Sequence, residues 1–148
     1  MARQPPSLTG RALRFLAARE HSRLELEHKL ARYGADATEI ARVLDALTAK
    51  GFISEQRVAE SVLHQRASRL GAARVVQELR SKGLSDAVIA DAAAQLRATE
   101  MQRAQAVWQK KFGERAVEPR ERARQMRFLA ARGFAADVVR RVVAGRSD

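Results

Sequence analysis

The chain has 148 residues, of which 28 are Lys or Arg and 17 are Asp or Glu, so its formal net charge is +11 at pH 7. A charge of this size favours a polyanionic or acidic partner. The absence of cysteine excludes disulfide scaffolds, thiolate zinc sites and cysteine nucleophiles.

Composition favours a helical protein of the cytoplasm. Hydrophobic residues make up 46% of the chain and charged residues 30%, which is too apolar a mixture for a disordered chain. Three prolines and eight glycines leave little material for a turn-rich β protein. No stretch approaches the roughly 20 apolar residues that span a bilayer, so we expect no membrane contact and a cytoplasmic location.

Capping residues mark the helices of the first third of the chain. Ser22 and Glu25 have the spacing of a capping box, in which each side chain accepts from the other residue's backbone amide. Asp36 and Glu39 repeat this spacing. Residues 1–10 are expected to be a flexible tail. The first predicted helix begins near Thr9 or Gly10. The second extends over about residues 23–33 and the third over about residues 37–50.

The pattern recurs along the chain. Gly34, Gly83 and Gly133 lie about 50 residues apart, a period typical of tandem helical repeats. Each glycine follows a leucine by four residues and precedes an isoleucine or valine by six. The sequence therefore predicts three three-helix units, over residues 11–53, 54–98 and 99–148.

Units of this size bury only a small core and gain stability by stacking on their neighbours. We therefore predict an all-α fold, an elongated and curved array of three tandem three-helix repeats. The helices predicted for the second and third units cover about residues 54–69, 72–82, 86–97, 100–112, 119–132 and 136–144.

No motif for catalysis is present. The sequence has no phosphate loop, dinucleotide fingerprint, zincin helix or nucleophile elbow. Ser22 beside His21 is explained by capping, and His21, His28 and His64 are expected to be solvated side chains. We expect no enzyme activity, no metal and no cofactor.

Positive charge is concentrated in the last third of the chain. Residues 101–148 hold twelve Lys or Arg against five Asp or Glu. Most cations of the chain are Arg, which suits bidentate contacts to phosphate or carboxylate. The alternative is a solvated helical face. The candidate binding residues of this unit are Lys110, Lys111, Arg115, Arg120, Arg122, Arg124, Arg127, Arg132, Arg140 and Arg141.

A second candidate surface is the joint between the first two helices, where Arg19 and Arg23 flank a polar run. It is either a capped turn with local ion pairs or a partner contact. Aromatic residues are expected in the core: Trp108 and Phe112 have the spacing of a packing pair, and the same is expected of Phe15, Phe52, Phe128 and Phe134.

Several segments resemble the bacterial RecX regulatory family. They are residues 12–30 (ALRFLAAREHSRLELEHKL), 43–55 (VLDALTAKGFISE) and 71–83 (GAARVVQELRSKG). The resemblance covers about residues 11–97 and is looser in the third unit. Two departures are Ser54-Glu55, where an aspartate is common, and Gly71-Ala72-Ala73, where a Gly-Pro type of turn is more familiar.

The resemblance implies a non-enzymatic modulator, mainly an inhibitor, of the RecA recombinase. Members of the family bind the RecA filament on DNA and restrain filament growth, ATP hydrolysis, strand exchange and the co-protease role in the SOS response. We expect a monomer that meets DNA directly or through the filament. The alternative is a general basic helical DNA-binding protein.

Overall fold

Eight helices form the regular secondary structure of residues 4–145, the part of the chain that the computed structural model describes. This confirms the all-α prediction. The helices are α1 (Leu8–Ala18), α2 (Arg23–Ala31), α3 (Ala37–Ala49), α4 (Glu55–Arg66), α5 (Ala72–Ser81), α6 (Asp86–Lys111), α7 (Pro119–Ala131) and α8 (Ala136–Ala144).

Capping fixes the helix starts as predicted. The Ser22 hydroxyl accepts from the Glu25 amide at 3.2 Å, and the Glu25 carboxylate accepts from the Ser22 amide at 3.1 Å. The Asp36 carboxylate accepts from the Glu39 amide at 2.8 Å and caps α3. The glycines that revealed the repeat all have positive φ, which favours glycine over other residues; Gly83, for example, has φ 74°.

Three separate cores confirm the repeat. Unit 1 comprises α1 to α3, unit 2 comprises α4, α5 and the first half of α6, and unit 3 comprises the second half of α6 with α7 and α8. Each unit buries its own apolar cluster. In the described part of the chain the units follow one another in a row, because no helix of unit 1 packs against a helix of unit 3. The largest fully buried side chains include Leu26, Leu30, Leu44, Leu79 and Leu129.

The prediction of two helices over 86–97 and 100–112 is wrong, because α6 runs unbroken for 26 residues. The sequence between Asp86 and Lys111 contains no glycine or proline to end a helix. Units 2 and 3 therefore share α6, and the predicted boundary after residue 98 lies inside it.

The start of the chain also differs from the prediction. The helix α1 begins at Leu8, because the Ser7 hydroxyl accepts from the Gly10 amide at 3.0 Å and caps it. The helix thus starts one or two residues before the predicted start near Thr9 or Gly10, and it includes the last three residues of the expected tail. Residues 1–3 of that tail lie outside the described residues.

Two aromatic residues that follow helix ends are exposed, and one of them, Phe52, was expected in the core. Tyr33 follows the end of α2 and is 50% exposed, and Phe52 follows the end of α3 and is 48% exposed. Helical spacing does not govern side chains in these turns. The guanidinium of Arg11 lies 3.8 Å from the centre of the Tyr33 ring and covers it.

Units 2 and 3 are held by a close backbone contact between their helix-ending turns. The Gly71 amide donates to the Arg132 carbonyl at 2.8 Å, and the Ala73 amide donates to the Gly133 carbonyl at 3.3 Å. A Cβ on Gly71 would lie 2.3 Å from the Gly133 carbonyl carbon. Only glycine therefore allows this approach.

The helix α6 supplies two charged side chains to the same joint. The buried Glu100 carboxylate accepts from the Ala72 amide at 2.7 Å, where Gly71 offers α5 no side-chain cap. The Arg103 guanidinium donates to the carbonyls of Ala67 at 2.9 Å and Leu70 at 2.6 Å. The helix α6 thus supplies hydrogen-bond partners for the first amide of α5 and for carbonyls that follow the end of α4.

Replacing Leu30 by Ala should destabilise unit 1. The side chain is fully buried, and its truncation opens a cavity in a small core at a cost of about 2–5 kcal/mol. Chemical denaturation monitored by circular dichroism measures the change. Val117→Ala is the matched control, because Val117 is 86% exposed and should shift stability by less than about 0.5 kcal/mol. Equal stability of the two variants would contradict the assignment of this core.

Replacing Gly71 by Ala should loosen the joint of units 2 and 3. The added methyl group overlaps the Gly133 backbone, and overpacking of this kind costs about 1–3 kcal/mol. Hydrogen exchange of the Ala73 amide should quicken, since its acceptor is Gly133. Gly10→Ala is the control, because its Cβ would meet only the Ser7 hydroxyl, at 3.2 Å. Unchanged exchange in the Gly71 variant would refute the joint described above.

Candidate functional site

The polar run between α1 and α2 lies at the seam of units 1 and 2. The Glu25 carboxylate forms ion pairs with Arg19 of its own unit at 2.6 Å and with Lys82 of unit 2 at 3.1 Å. Arg57 of unit 2 pairs with Glu20 at 2.8 Å. No helix of unit 1 packs against a helix of unit 2 within the described residues. The seam contains these ion pairs, a hydrogen bond from Arg57 to the Gly51 carbonyl at 2.6 Å and the Leu24 side chain packed against Gly83.

The two cations predicted at this joint have structural partners. Besides its pair with Glu25, Arg19 donates to the Glu20 carbonyl at 2.7 Å. Arg23 is half-buried and pairs with Glu27 at 3.2 Å and Asp45 at 2.7 Å. Of the two readings of this cluster, the geometry favours the capped turn with local ion pairs. Its role in partner contact stays a prediction.

The prediction that His21 is solvated is wrong, because its side chain is buried between α1 and α2. The Lys29 ammonium lies 2.7 Å from Nε2, and Nδ1 lies 3.1 Å from the Arg19 carbonyl. An ammonium only donates, so Nε2 accepts and Nδ1 carries the proton of a neutral ring. Burial lowers the pKa of His21, and it also lowers the pKa of Lys29. His28 and His64 are exposed as predicted.

The carboxyl of Glu25 holds its charge to low pH. Burial alone would raise its pKa, but hydrogen bonds from Arg19, the Ser22 amide and Lys82 lower the pKa of Glu25 to about 2. Its side chain is 17% exposed. The capping residue of α2 is thus also the acceptor that ties unit 1 to unit 2.

The candidate cations of unit 3 lie on its surface. All are exposed except Arg132, which is half-buried. On α7, Arg120, Arg124 and Arg127 share one face, because they are four and three residues apart. Arg124 pairs with Glu121 at 2.8 Å, whereas Arg120 and Arg127 pair with no carboxylate in the described part of the chain.

Two other cations of the predicted set donate hydrogen bonds to main-chain carbonyls. Arg115 donates to the Val142 carbonyl at 3.3 Å, and its guanidinium lies 5.3 Å from the Trp108 ring. Arg122 donates to the Val117 carbonyl at 3.0 Å. The predicted cations of unit 3 therefore fall into two groups. Arg115, Arg122 and Arg124 have hydrogen-bond or ion-pair partners within the described residues, and the larger group has none.

The aromatic residues of unit 3 are only partly in the core. Trp108 is buried, and its indole N–H donates to the Gln125 amide oxygen at 2.9 Å; Phe134 is also buried. Phe112 and Phe128 are half-buried and meet edge to face, with ring centres 5.4 Å apart. Phe15, in unit 1, is half-buried as well.

One cleft combines predicted cations with a residue that the sequence analysis missed. It has a volume of about 720 Å³ and contains Lys110, Lys111 and Arg132 together with Arg69. Arg69 lies in the joint between α4 and α5, close to the position that the 50-residue period relates to Arg19. The repeat could therefore have identified it.

Residues 4–145 contain no cluster of three or more His, Asp or Glu side chains placed to hold a metal ion. Across this same range, no helix combines the length and the apolar character that a membrane span requires.

Replacing Glu25 by Gln should weaken the seam in a pH-dependent way. The pKa of Glu25 is lower in the fold, about 2, than its ordinary value of 4.5. Its stabilisation is thus complete above pH 4.5 and is lost as the pH falls toward 2. We expect the variant to lose on the order of 1–2 kcal/mol at pH 7, after solvent screening, and little at pH 2.

Thermal melting at several pH values measures this difference. Glu60→Gln is the control, because Glu60 is exposed on α4 and outside the seam. If the Glu25 variant and the wild-type chain had the same melting temperature at pH 7, the seam would not depend on this carboxylate.

The comparisons with known proteins agree with this architecture. Family models of the first, second and third three-helix domains of RecX match residues 10–47, 54–92 and 98–143. The chain is 54% identical over 137 residues to the "Regulatory protein RecX" of Leptothrix cholodnii, covering 93% of this chain and 87% of that one. It is 48% identical to the protein of the same name from Ralstonia nicotianae, covering 98% and 91%.

Solved structures show the same fold. A crystal structure of RecX from Lactobacillus salivarius superposes with a TM-score of 0.78 at 18% identity, over 93% of each chain. A crystal structure titled regulatory protein RecX superposes with a TM-score of 0.77 at 21% identity, over 91% of this chain and 70% of that one. Since the family models match the three units in order, the chain belongs to the RecX family.

Proposed function

We propose that this chain is a non-enzymatic modulator, mainly an inhibitor, of the RecA recombinase. It binds the RecA filament on DNA and restrains filament growth, ATP hydrolysis, strand exchange and SOS co-protease activity. The observation that carries the proposal is the match of all three units, in order, to the RecX domains. In this proposal the protein acts as a monomer in the cytoplasm.

A row of small units suits a partner that is itself a repeating polymer. Each unit presents its own surface, and α6 fixes the distance between the surfaces of units 2 and 3. A ligand of this kind shifts an equilibrium between two filament states when its affinity for them differs. About 1.4 kcal/mol of differential binding changes a balanced equilibrium tenfold.

The charge of unit 3 supports a polyanionic or acidic surface as the partner. Arg120, Arg127, Arg140 and Arg141 are exposed, and none of them pairs with a carboxylate within residues 4–145. Such charges accelerate association with an oppositely charged partner and make binding dependent on salt.

The direct test is ATP hydrolysis by RecA on single-stranded DNA, with and without the chain. A parallel titration of naked DNA against salt measures binding without the recombinase. Inhibition at concentrations that leave naked DNA mostly unbound is the expected result. Strong, salt-dependent DNA binding without inhibition would favour the alternative, a general DNA-binding protein.

Replacing Arg120, Arg124 and Arg127 together by Ala should weaken inhibition while the fold persists. Their side chains are exposed on α7, and surface substitutions usually change stability by less than about 0.5 kcal/mol each. The inhibitory concentration should rise on the order of tenfold, and the salt dependence should become shallower.

The matched control removes three charges elsewhere. Arg14, Arg42 and Lys50 are exposed in unit 1, and their replacement by Ala lowers the net charge by the same amount. Equal inhibition by the α7 variant and the wild-type chain at physiological salt would exclude the α7 face. Equal loss in both variants would assign the effect to net charge.

A further inference from the structure

We infer that His21 is a pH-sensitive switch at the seam of units 1 and 2, and that the seam opens when the His21 ring takes up a proton in mild acid. The inference is independent of the proposed function, because it concerns how two units of the chain are held together. His21 belongs to residues 19–22, which connect α1 to α2. We call these residues the seam turn.

The seam turn sets the geometry of the ion pairs between the two units. Glu20 of the turn pairs with Arg57 of unit 2 at 2.8 Å. Arg19 of the turn pairs with one oxygen of Glu25 at 2.6 Å, and the other oxygen of Glu25 pairs with Lys82 of unit 2 at 3.1 Å. A displacement of the turn therefore disturbs both connections to unit 2.

The His21 side chain holds the seam turn against α1 and α2. It is 1% exposed, and the centre of its ring lies 5.7 Å from the centre of the Phe15 ring of α1. Its Nδ1 lies 3.1 Å from the Arg19 carbonyl, and its Nε2 lies 2.7 Å from the Lys29 ammonium of α2. One buried ring thus contacts both helices that the turn connects.

Only a neutral ring fits these contacts. A protonated imidazole donates from both nitrogens, and an ammonium has no acceptor to offer. Protonation of His21 would leave two cationic donors 2.7 Å apart, on Nε2 and on Lys29. The hydrogen bond between them would be lost, and repulsion would replace it.

The charges around the ring also oppose its protonation. Five charged groups of the described residues surround His21 and Lys29: the cations Arg19, Lys29, Arg32 and Lys82 and the carboxylate of Glu25. That carboxylate already accepts three hydrogen bonds and is not free to move to the ring. Burial lowers the pKa of His21 from 6.5, and Arg19 and Lys29 add to this effect.

The pH dependence has a defined direction. Because the pKa of His21 is lower in the fold than the unfolded value of 6.5, its contacts are fully stabilising above pH 6.5 and weaken as the pH falls below it. The equilibrium constant for opening should rise up to about tenfold for each pH unit between 6.5 and the folded pKa. The Glu25 carboxyl stays charged at pH 5.5 in both states, since its pKa is about 2 in the fold and 4.5 ordinarily.

The test is hydrogen exchange of the full chain at pH 7.5 and pH 5.5, followed by mass spectrometry and corrected for the intrinsic effect of pH on exchange. In the wild-type chain, peptides over residues 19–26 should lose protection by up to about tenfold at pH 5.5. Peptides over residues 58–79, in unit 2, should keep theirs. His21→Gln removes the titrating ring, so its protection over residues 19–26 should be equal at both pH values.

A second variant keeps the test valid if His21→Gln disturbs folding. Lys29→Met retains the ring and removes the ammonium that opposes its protonation. An NMR titration of the ring should show that the pKa of His21 is higher in Lys29→Met than in the wild-type chain. The loss of protection at pH 5.5 should shrink accordingly.

The matched control is His28→Gln, because His28 is exposed on α2 and lies outside the seam turn. It should lose protection at pH 5.5 as the wild-type chain does. Any of three results would overturn the inference: equal protection of residues 19–26 at both pH values in the wild-type chain, an undiminished loss in His21→Gln, or a pKa of His21 that Lys29→Met does not raise. RecA is absent from these experiments, so the proposed function is tested separately by the ATPase measurement.

Discussion

The contact between Gly71 and Gly133 is the constraint on which the arrangement of units 2 and 3 depends. Two backbone hydrogen bonds cross it, from Gly71 to Arg132 and from Ala73 to Gly133, and the approach leaves no room for a Cβ. The shared helix α6 reinforces it through Glu100, which accepts from the start of α5. The continuous helix α6 and the backbone hydrogen bonds across the joint therefore fix how units 2 and 3 lie against each other.

Unit 1 is attached by a different kind of force. Its seam with unit 2 depends largely on the pairs of Glu20 with Arg57 and of Glu25 with Lys82, and partly exposed pairs of this kind are weak and are screened by salt. The apolar clusters of the two units are separate. Salt should therefore weaken the seam of units 1 and 2 more than the joint of units 2 and 3, which backbone hydrogen bonds cross.

The sequence predicts local features well, because short-range chemistry fixes them. The capping box of Ser22 and Glu25 and the positive φ of Gly83 follow from two or three residues each. The continuity of α6 was missed because a repeat suggests a joint at every period, although nothing in residues 86–111 ends a helix. The burial of His21 was missed because it depends on Lys29 and Phe15, which the fold brings beside it. The shared cleft of Arg69 and Lys110 was missed for the same reason, since only the tertiary structure brings α4 and α6 together there.

Hydrogen bonds and ion pairs within the fold distinguish the cations that stabilise this chain from those without an intramolecular partner among the described residues. Arg103 is held by the Ala67 and Leu70 carbonyls and stabilises the fold, so its replacement would report on folding and not on recognition. The cations around Phe128 have no such partner among the described residues, and their mutual repulsion opposes folding. In the proposed function, these cations are the ones expected to meet a polyanionic or acidic partner.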